Sequence, residues 1–237
     1  MTATGGVTLG IMQPYFFPYI GYWQLLAAVD RFVVYDNIQY TKKGWINRNR
    51  FLRNGTDAFF TVPLRKGSDF LDVADRALAD DFDPGTLLNP LAAAYGKAPC
   101  FDAVFPVIEA VILAAPRNLF EYLHHGLKVI AEYLEIRTPI VVSSAVAIDH
   151  TLNGERKVLA LCEALGATRY VNAIGGRELY SASAFAEHGI ELRFIQSRPV
   201  TYRQYDHPFV PGLSIVDVLM FNSRDAVRGM LGAYDLV

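Results

Sequence analysis

The sequence predicts an α/β fold with a mostly parallel sheet, and two features support this. A β-α-β succession opens the chain and a β-α-β-α-β succession fills its second half, with a group of amphipathic helices between them. Polar residues and glycines directly follow several predicted strands, which is where open α/β sheets place their ligands. No linker is long enough to separate domains. We therefore expect a single α/β domain over residues 1–237, with a helical insertion at approximately 84–135.

The first third of the chain contains the first β-α-β unit and a hairpin. Val7–Met12 is an apolar strand, and the segment from Gly21 to Val29 has apolar residues at helical spacing. Phe32–Tyr35 is the second strand. The pair Asn54-Gly55 lies between two apolar runs, which indicates a tight turn in an antiparallel hairpin.

Strands and helices alternate through the rest of the chain. The predicted strands are Asp72 to Leu78, Pro139–Ser143, Arg169–Val171 and Glu191–Ile195. The predicted helices are Pro84–Tyr95, Phe101 to Ala115, Asn118 to Leu134, Gly154–Leu165, Ser183–His188 and Ser214–Phe221. Pro106 predicts an interruption of the second of these helices.

Composition favours a globular protein without a dominant charge. Hydrophobic residues make up 52% of the chain, charged residues make up 19%, and the formal net charge is −2. The chain as a whole therefore favours neither nucleic acid nor an acidic membrane as a partner. Two cysteines without metal-ligand spacing predict neither a disulfide framework nor a metal site. Because the first ten residues lack signal-peptide features and no apolar stretch reaches about 18 residues, we expect a cytoplasmic protein.

Charge is nevertheless segregated along the chain. Between Lys42 and Lys66 there are seven basic residues and one acidic residue. Between Asp69 and Asp83 there are six acidic residues and one basic residue. A positive segment beside a negative one favours a phosphate-bearing ligand or an acidic protein partner, with a dipolar solvated surface as the alternative.

The aromatic turn after the first strand contains the first candidate residues. Gln13 ends the strand, and Gly21 opens a helix whose first N–H groups are available to an anion. The layout resembles that of HIGH-type nucleotidyltransferases and implies a Rossmann-like sheet, with Tyr19 and Tyr22 where that family has histidines. Tyrosine stabilises a leaving pyrophosphate poorly, so this departure argues against adenylyl transfer.

The second group of candidates begins at the end of the second strand. Asp36 is placed to orient an amine or a ribose, or to act as a general base. Lys43 and Arg48 suit phosphate. In an extended segment the asparagines face one side and the arginines face the other. The candidate binding residues here are Gln39, Tyr40, Lys43, Asn47, Arg48 and Arg50.

Ser143-Ser144 and His150 suggest a serine–histidine pair. However, the sequence has no Gly-x-Ser-x-Gly elbow, and Asp149 is too close in the chain to orient the ring of His150. His150 is kept as a candidate base, and bonding to turn backbone is the alternative role of the serines.

The remaining candidates lie in the second half of the chain. Gly175 and Gly176 follow a strand and allow a ligand to approach the backbone closely, with a simple turn as the alternative. Tyr180 follows them, and Gln204 lies in a polar, aromatic segment near the carboxyl terminus. Ser214 with Asp217 is similar to a capping box.

Several stretches together resemble the WbqC-like protein family over nearly the whole chain. They are QPYFFPYIGYW, DNIQYTKKGWINRNRF, FFTVPL, GERKVLALCEALGATRYVNAIGG and FVPGLSIVDVLMFN. The resemblance implies attachment of an acyl or aminoacyl group to an amine, for example on an amino sugar.

The leading hypothesis is a transferase that forms an amide bond. Its donor would be a phosphopantetheine thioester on an acyl carrier protein, and its acceptor a small-molecule amine. Asp36 or His150 would be the base. Gln13, Asn47 and the Gly175-Gly176 backbone would donate hydrogen bonds. The alternatives are a nucleotidyltransferase-related enzyme that uses a nucleotide, and a non-catalytic module that binds a nucleotide sugar or a carrier protein.

Overall fold

The computed structural model describes residues 6–114 and 116–237, which form a six-stranded sheet, a separate two-stranded hairpin and α-helices. The strands are β1 Val7–Met12, β2 Arg31–Val34, β3 Arg48–Arg53, β4 Thr56–Thr61, β5 Ile140–Val142, β6 Ala167–Ala173, β7 Glu191–Ser197 and β8 Tyr234–Leu236. The helices are α1 Ile20–Ala27, α2 Gly85–Tyr95, α3 Phe101–Ala114, α4 Leu119–Tyr133, α5 Gly154–Ala164, α6 Ala182–Glu187, α7 Ile215–Phe221 and α8 Arg224–Met230. The predicted end of the second helical segment at Ala115 lies outside the described residues.

The order of strands in the large sheet is β5-β2-β1-β6-β7-β8. Neighbours among the first five strands pair in parallel, and β8 pairs antiparallel with β7. The predicted α/β fold with a mostly parallel sheet is confirmed. Because the five parallel strands share a direction, their carboxyl ends lie along one edge, which we call the carboxyl edge. From β1 the strand order grows in one direction, through β2 to β5. The chain then returns to the other side of β1 and continues in the opposite direction, through β6 to β7. The order therefore reverses between β1 and β6, which is a switch point.

Apolar side chains cover both faces of this sheet. Along β2, Phe32 and Val34 join a large core that includes residues of α1, α3, α4 and α7. Val33 and Tyr35 point to the opposite face and join a smaller core beneath α5 and α6. Burial on both faces explains why these strands read as continuous apolar runs rather than as alternating patterns.

The predicted hairpin is confirmed. Asn54 and Gly55 both have positive φ, 52° and 77°, the conformation that a two-residue turn between right-twisted strands requires. The side-chain amide of Asn49 donates to the backbone oxygens of Phe16 and Phe17, at 3.0 and 2.9 Å. These bonds fasten the hairpin to the loop that follows β1.

Some predicted elements were wrong. Asp72 to Leu78 is not a strand: it contains a 3-10 turn at Val73–Asp75 between isolated bridges to Gln39 and Leu64. Its backbone bonds to irregular segments, so neither partner extends it into a ladder. Helix α3 continues through Pro106, where the sequence predicts a break.

Helices α2, α3 and α4 lie where the sequence predicts helices, between the hairpin and β5. Their membership of a single domain stays a prediction. The sequence did not predict α8 and β8. Within the described ranges, no helix combines the length and apolar character needed to cross a membrane.

Candidate functional site at the carboxyl edge

Asp36 lies at the carboxyl edge, just beyond β2, beside the end of the neighbouring strand β5. Its Oδ1 atom accepts hydrogen bonds from the Ser143 hydroxyl at 2.8 Å and from the Ser144 N–H at 2.9 Å. Its Oδ2 atom accepts from the Ser144 hydroxyl. Burial raises the pKa of Asp36. These hydrogen bonds together lower the pKa by more than burial raises it, so the pKa lies below the ordinary value. Asp36 is therefore a carboxylate at neutral pH.

His150 is connected to this arrangement through Asn37. The Asn37 Nδ2 atom lies 2.9 Å from Nδ1 of His150, and Nε2 of His150 lies 3.0 Å from the Val146 backbone oxygen. A carbonyl oxygen only accepts, so Nε2 carries the hydrogen and Nδ1 accepts from the amide. Both ring nitrogens are thus committed to internal hydrogen bonds, which makes His150 a poorly placed base.

Lys157 enters the same region from α5 and is 8% exposed. Its ammonium donates to the Asn37 backbone oxygen at 2.9 Å and lies 5.4 Å from the centre of the Tyr35 ring. Burial lowers the pKa of Lys157, and the charges of Asp72 and Asp36 oppose that shift. No direct ion pair joins the ammonium to a carboxylate in the described part of the chain.

Asp72 completes the group from a different segment. The chain around it runs beside residues 36–40, because the Val73 N–H donates to the Ile38 oxygen at 2.9 Å and the Ala74 N–H donates to the Asp36 oxygen at 3.0 Å. Burial raises the pKa of Asp72, the charges of Asp75 and Asp36 add to the rise, and Lys157 opposes it. We call Asp36, Asp72, Ser143, Ser144 and Lys157 the strand-end cluster.

His124 lies close enough to the cluster for the charge of Asp36 to act on it. Helix α4 starts near this edge, since the Asn118 side chain donates to the Ala74 oxygen at 2.6 Å. His124 stacks on Phe120 with ring centres 5.4 Å apart, and its buried Nε2 atom has no hydrogen-bond partner among the described residues. Burial lowers the pKa of His124 and Lys128 lowers it further, while Asp36 raises it. The structure thus adds a largely neutral imidazole to the surroundings of the cluster.

Comparison with known proteins decides the family. A sequence model of the WbqC-like protein family matches residues 13–229. The chain belongs to the WbqC-like protein family. It is also similar to "Uncharacterized protein Rv1507c" of Mycobacterium tuberculosis (strain ATCC 25618 / H37Rv), with 30% identity over 219 residues that cover 90% of this chain and 93% of the relative. No solved structure matches the chain.

The family match includes every residue of the strand-end cluster, and it also includes the aromatic turn after β1. In this WbqC-like chain, Gln13 is half-buried at the carboxyl edge, and its backbone oxygen accepts from the Tyr22 hydroxyl at 3.1 Å. Tyr22 is 2% exposed, so its hydroxyl is occupied inside the protein. Tyr19 is 41% exposed, and its ring occupies the space where a Cβ on residue 21 would lie, at 2.5 Å. A side chain at residue 21 would therefore displace the Tyr19 ring.

The asparagines and arginines of the basic segment divide as the alternation predicts. Asn47 is buried and bonds to the Tyr40 hydroxyl and the Val62 oxygen, both at 2.8 Å. These contacts give Asn47 a structural role and leave little of its amide for a ligand. Arg48 and Arg50 are half-buried on the other side.

Of the remaining candidates of that segment, Gln39 and Lys43 lie at the surface and Tyr40 is buried. Gln39 donates to the Asp69 backbone oxygen at 2.8 Å, and the buried ring of Tyr40 lies 4.7 Å from the Arg76 guanidinium. Lys43 is exposed, with a positive φ of 62°.

The paired glycines lie at the carboxyl edge after β6, on the far side of the switch point from Asp36. A Cβ on residue 176 would lie 2.9 Å from Nδ2 of Asn172 and would displace that amide, whereas nothing lies within 4 Å of a Cβ on residue 175. Tyr180 packs edge-on against Tyr170, with ring centres 5.6 Å apart. Gly175, Gly176 and Gln13 all follow strands at the carboxyl edge, but the strand-end cluster lies one strand away from Gln13 and two strands away from the two glycines.

Gln204 lies in the interior of the protein instead. It is 1% exposed, and its amide bonds to both backbone polar atoms of Val210 and to Asp217. Asp217 does not form the predicted capping box: Ser214 caps α7 through the Val216 N–H, while the Asp217 carboxylate points into the core. Gln204 has no polar atom left for a ligand.

Two open depressions, of about 540 and 420 Å³, lie near the start of β5, at the edge opposite Asp36. They share Glu135, Ile136, Arg137 and Thr138. We place the candidate site at the strand-end cluster because buried titratable groups with shifted pKa values converge there. In the described residues, no three histidine, cysteine or acidic side chains are grouped to hold a metal ion.

The sequence missed three members of this region. Lys157 had a usable signal, because it shares a helical face with Leu161 and therefore stands in an otherwise apolar stripe. Asp72 was hidden by the mistaken strand. His124 gave no local signal, because only packing brings α4 close to β2.

Proposed function

We propose that this protein is a transferase that forms an amide bond, moving an acyl or aminoacyl group from an activated donor to an amine of a small metabolite such as an amino sugar. The observation that supports this most directly is the strand-end cluster. There, Asp36 and Asp72 have pKa shifts in opposite directions and lie near the buried Lys157. Neighbouring carboxyl groups whose environments separate their pKa values can take different roles in proton transfer.

The two aspartates suit the acceptor. An amine reaches the site as an ammonium ion, and two carboxylates facing one lysine leave an excess of negative charge to attract it. Asp36, with its lowered pKa, stays ionised, and its charge attracts the ammonium while its oxygens remain bonded to Ser143 and Ser144. Asp72, with its raised pKa, is the better proton acceptor and frees the nitrogen lone pair.

Lys157 suits the carbonyl group of the donor. The amine nitrogen attacks the thioester carbon, the C–N bond forms, and negative charge develops on the carbonyl oxygen. The Lys157 ammonium donates a hydrogen bond to that oxygen. Asp72 passes the first proton, which it took from the ammonium, to water and then takes the second proton, which the nitrogen still carries after the attack. The C–S bond breaks, the carbonyl group re-forms, and the sulfur leaves as a thiol with that second proton. No covalent enzyme intermediate is needed.

The proposed donor is a phosphopantetheine thioester on an acyl carrier protein. The basic side chains of the hairpin region support this, and several of them form no ion pair with the described residues. The arm carries a phosphodiester, and a carrier surface rich in acid would meet positive charge there.

The test uses purified protein with a panel of carrier-bound acyl and aminoacyl thioesters and amino-sugar acceptors, with amide detected by mass spectrometry. Amide that forms with the wild-type protein and is lost with Asp72→Asn supports the proposal. Absence of amide across the panel, or full retention in Asp72→Asn, contradicts it.

A nucleotide-using enzyme is the second candidate, and the sheet supports it. Counted in chain order, the strands of the large sheet lie 3-2-1-4-5-6, the order of doubly wound nucleotide-binding sheets, so we also propose that the sheet is Rossmann-like. Asp36 then stands where such sheets bind a ribose. However, Ser143 and Ser144 already occupy both of its oxygens, which favours the first candidate. Magnesium-dependent release of pyrophosphate from a nucleotide would favour the second.

A non-catalytic binding module makes a different prediction for variants of the two aspartates. It expects Asp36→Asn and Asp72→Asn to leave the output of the host pathway unchanged. We further propose that the chain forms one domain and acts in the cytoplasm. Participation of α1, α3 and α4 in one core supports the former, and cell fractionation tests the latter.

A further inference from the structure

One face of the hairpin carries an exposed cationic and aromatic surface. It consists of Trp45, Arg48, Arg50 and Phe59, and we call it the hairpin patch. The rings of Trp45 and Phe59 stack with centres 6.3 Å apart and planes 21° apart. The Arg48 guanidinium lies 4.6 Å from the Phe59 ring centre, and that of Arg50 lies 5.5 Å from the Trp45 ring centre.

These rings are held in place yet open to solvent. Trp45 is 39% exposed and Phe59 is 53% exposed. Arg48 is fixed by hydrogen bonds to the backbone oxygens of Lys43 and Gly44, and Arg50 by one to the Gly212 oxygen at 3.0 Å. Ordered, exposed aromatic and arginine side chains lose little entropy on association, and such residues dominate the energetics of protein interfaces.

The charge around the patch is only partly neutralised by the residues that the structure describes. Arg50 pairs with Asp57 at 3.2 Å. In the described part of the chain, no ion pair involves Lys43, Arg48, Arg53 or Lys66. This local excess of positive charge stands on a protein whose net charge is −2, so the patch complements an acidic surface specifically.

The patch adjoins the loops of the carboxyl edge. The Phe16 N–H, in the loop after β1, donates to the Trp45 oxygen at 3.1 Å. The Tyr40 hydroxyl bonds to Asn47 at the base of the hairpin, and Tyr40 is four residues beyond Asp36. A partner seated on the patch is therefore close to the loop that follows β1, and β1 pairs with β2, the strand that precedes Asp36.

From this geometry we infer that the hairpin patch docks the acidic face of a carrier protein, whose thioester arm then extends to the strand-end cluster. The inference rests on the proposed function, because that function supplies the thioester. Single-stranded nucleic acid is the rival occupant of an arginine–aromatic surface. The structure favours protein, because each ring already has a guanidinium over it, which leaves less ring face for a base to stack on.

The experiment measures binding of the full chain to a purified bacterial holo-acyl carrier protein by isothermal titration calorimetry. The variants are Lys43→Glu, Phe59→Ser and the two combined. The matched control is Lys97→Glu, which makes the same charge change at an exposed lysine between α2 and α3. Circular dichroism checks that each variant is folded, and an oligothymidylate is titrated in parallel.

We expect the combined variant to bind the carrier at least tenfold more weakly than wild type, Lys97→Glu to match wild type, and added salt to weaken binding. No carrier binding, equal weakening by Lys97→Glu, or tighter binding of the oligonucleotide overturns the inference.

Amide formation from a small acyl-pantetheine donor separates this inference from the proposed function. If that donor reacts while the carrier fails to bind, docking is wrong and the chemistry stands. If the carrier binds through the patch and neither donor reacts, the chemistry is wrong and docking stands.

Discussion

The two aspartates that are buried among the described residues, Asp36 and Asp217, have different surroundings. Asp36 is 7% exposed and Asp217 is 0% exposed. All three donors that the described residues supply to the Asp36 side chain come from the end of one neighbouring strand. Lys157 and Asp72 lie near enough for the charge of Asp36 to act on them. Asp217 is enclosed by the Tyr95 and Tyr202 hydroxyls and the Gln204 amide, at 2.8, 2.6 and 2.6 Å.

The comparison teaches that burial of an acid does not by itself mark a functional site. Asp217 lies on α7 and its donors come from α2 and the segment before α7, so it joins parts of the chain that are far apart in sequence. Burial raises the pKa of Asp217 despite the three hydrogen bonds. Asp36 instead keeps its charge and lies near a second, differently tuned carboxyl group, an arrangement suited to chemistry.

The largest expected effect is on activity at the strand-end cluster. Asp72→Asn removes the proposed proton acceptor with little change of shape, so amide formation should fall by about 10²–10⁴-fold. Its melting temperature should stay close to that of the wild type. Asp81→Asn is the matched control at an exposed aspartate. If Asp72→Asn kept activity within threefold of wild type, Asp72 would not be the proton acceptor.

The next effect is on stability at Asp217. Asp217→Ala leaves three buried donors without their acceptor, which should lower the free energy of unfolding by about 3 kcal/mol. Urea denaturation measures this change, with Asp225→Ala on exposed α8 as the control. Turnover per folded molecule should be unchanged. A loss of turnover larger than the loss of folded protein would instead give Asp217 a functional role.

The pH dependence of stability should have opposite signs at the two aspartates. Folding lowers the pKa of Asp36, so its contribution is present above the ordinary value of 3.8 and is lost as pH falls through the folded pKa. Folding raises the pKa of Asp217, so stability falls as pH rises from 3.8 through the raised value.

Urea denaturation across acidic pH checks both signs. Asp36→Asn should be less sensitive to acid below pH 3.8, and Asp217→Asn should lose less stability as pH rises above it. If the free energy of unfolding changed with pH in the same way in both variants, the direction of the pKa shift would be wrong for one of the two aspartates.

The smallest expected effect is at His150. Because both ring nitrogens are used by Asn37 and Val146, His150→Gln should change the rate of amide formation by less than about threefold, well below the 10²-fold or more typical of a general base. A fall of 100-fold, with the fold intact by circular dichroism, would restore His150 as the base.

Local patterns were enough where a rule of backbone chemistry applies directly. Asn54-Gly55 predicted the hairpin, and the apolar run before Gln13 predicted β1 with its bounds. The second strand was predicted one residue too far along the chain, at Phe32–Tyr35 instead of Arg31–Val34, with Asp36 beyond its end in both cases. Patterns failed at Asp72, whose partners are irregular segments, and at Gln204, whose polar side chain is used inside the core.

The sequence by itself determined the α/β fold, the family and the separation of asparagines from arginines along β3, because periodicity and turn chemistry are local properties of the chain. Only the tertiary structure brought Asp72 and Lys157 to Asp36 and enclosed Asp217 between α2 and the segment before α7. Which polar groups meet, and whether water remains beside them, depends on contacts between residues far apart in sequence, and local patterns do not encode those contacts.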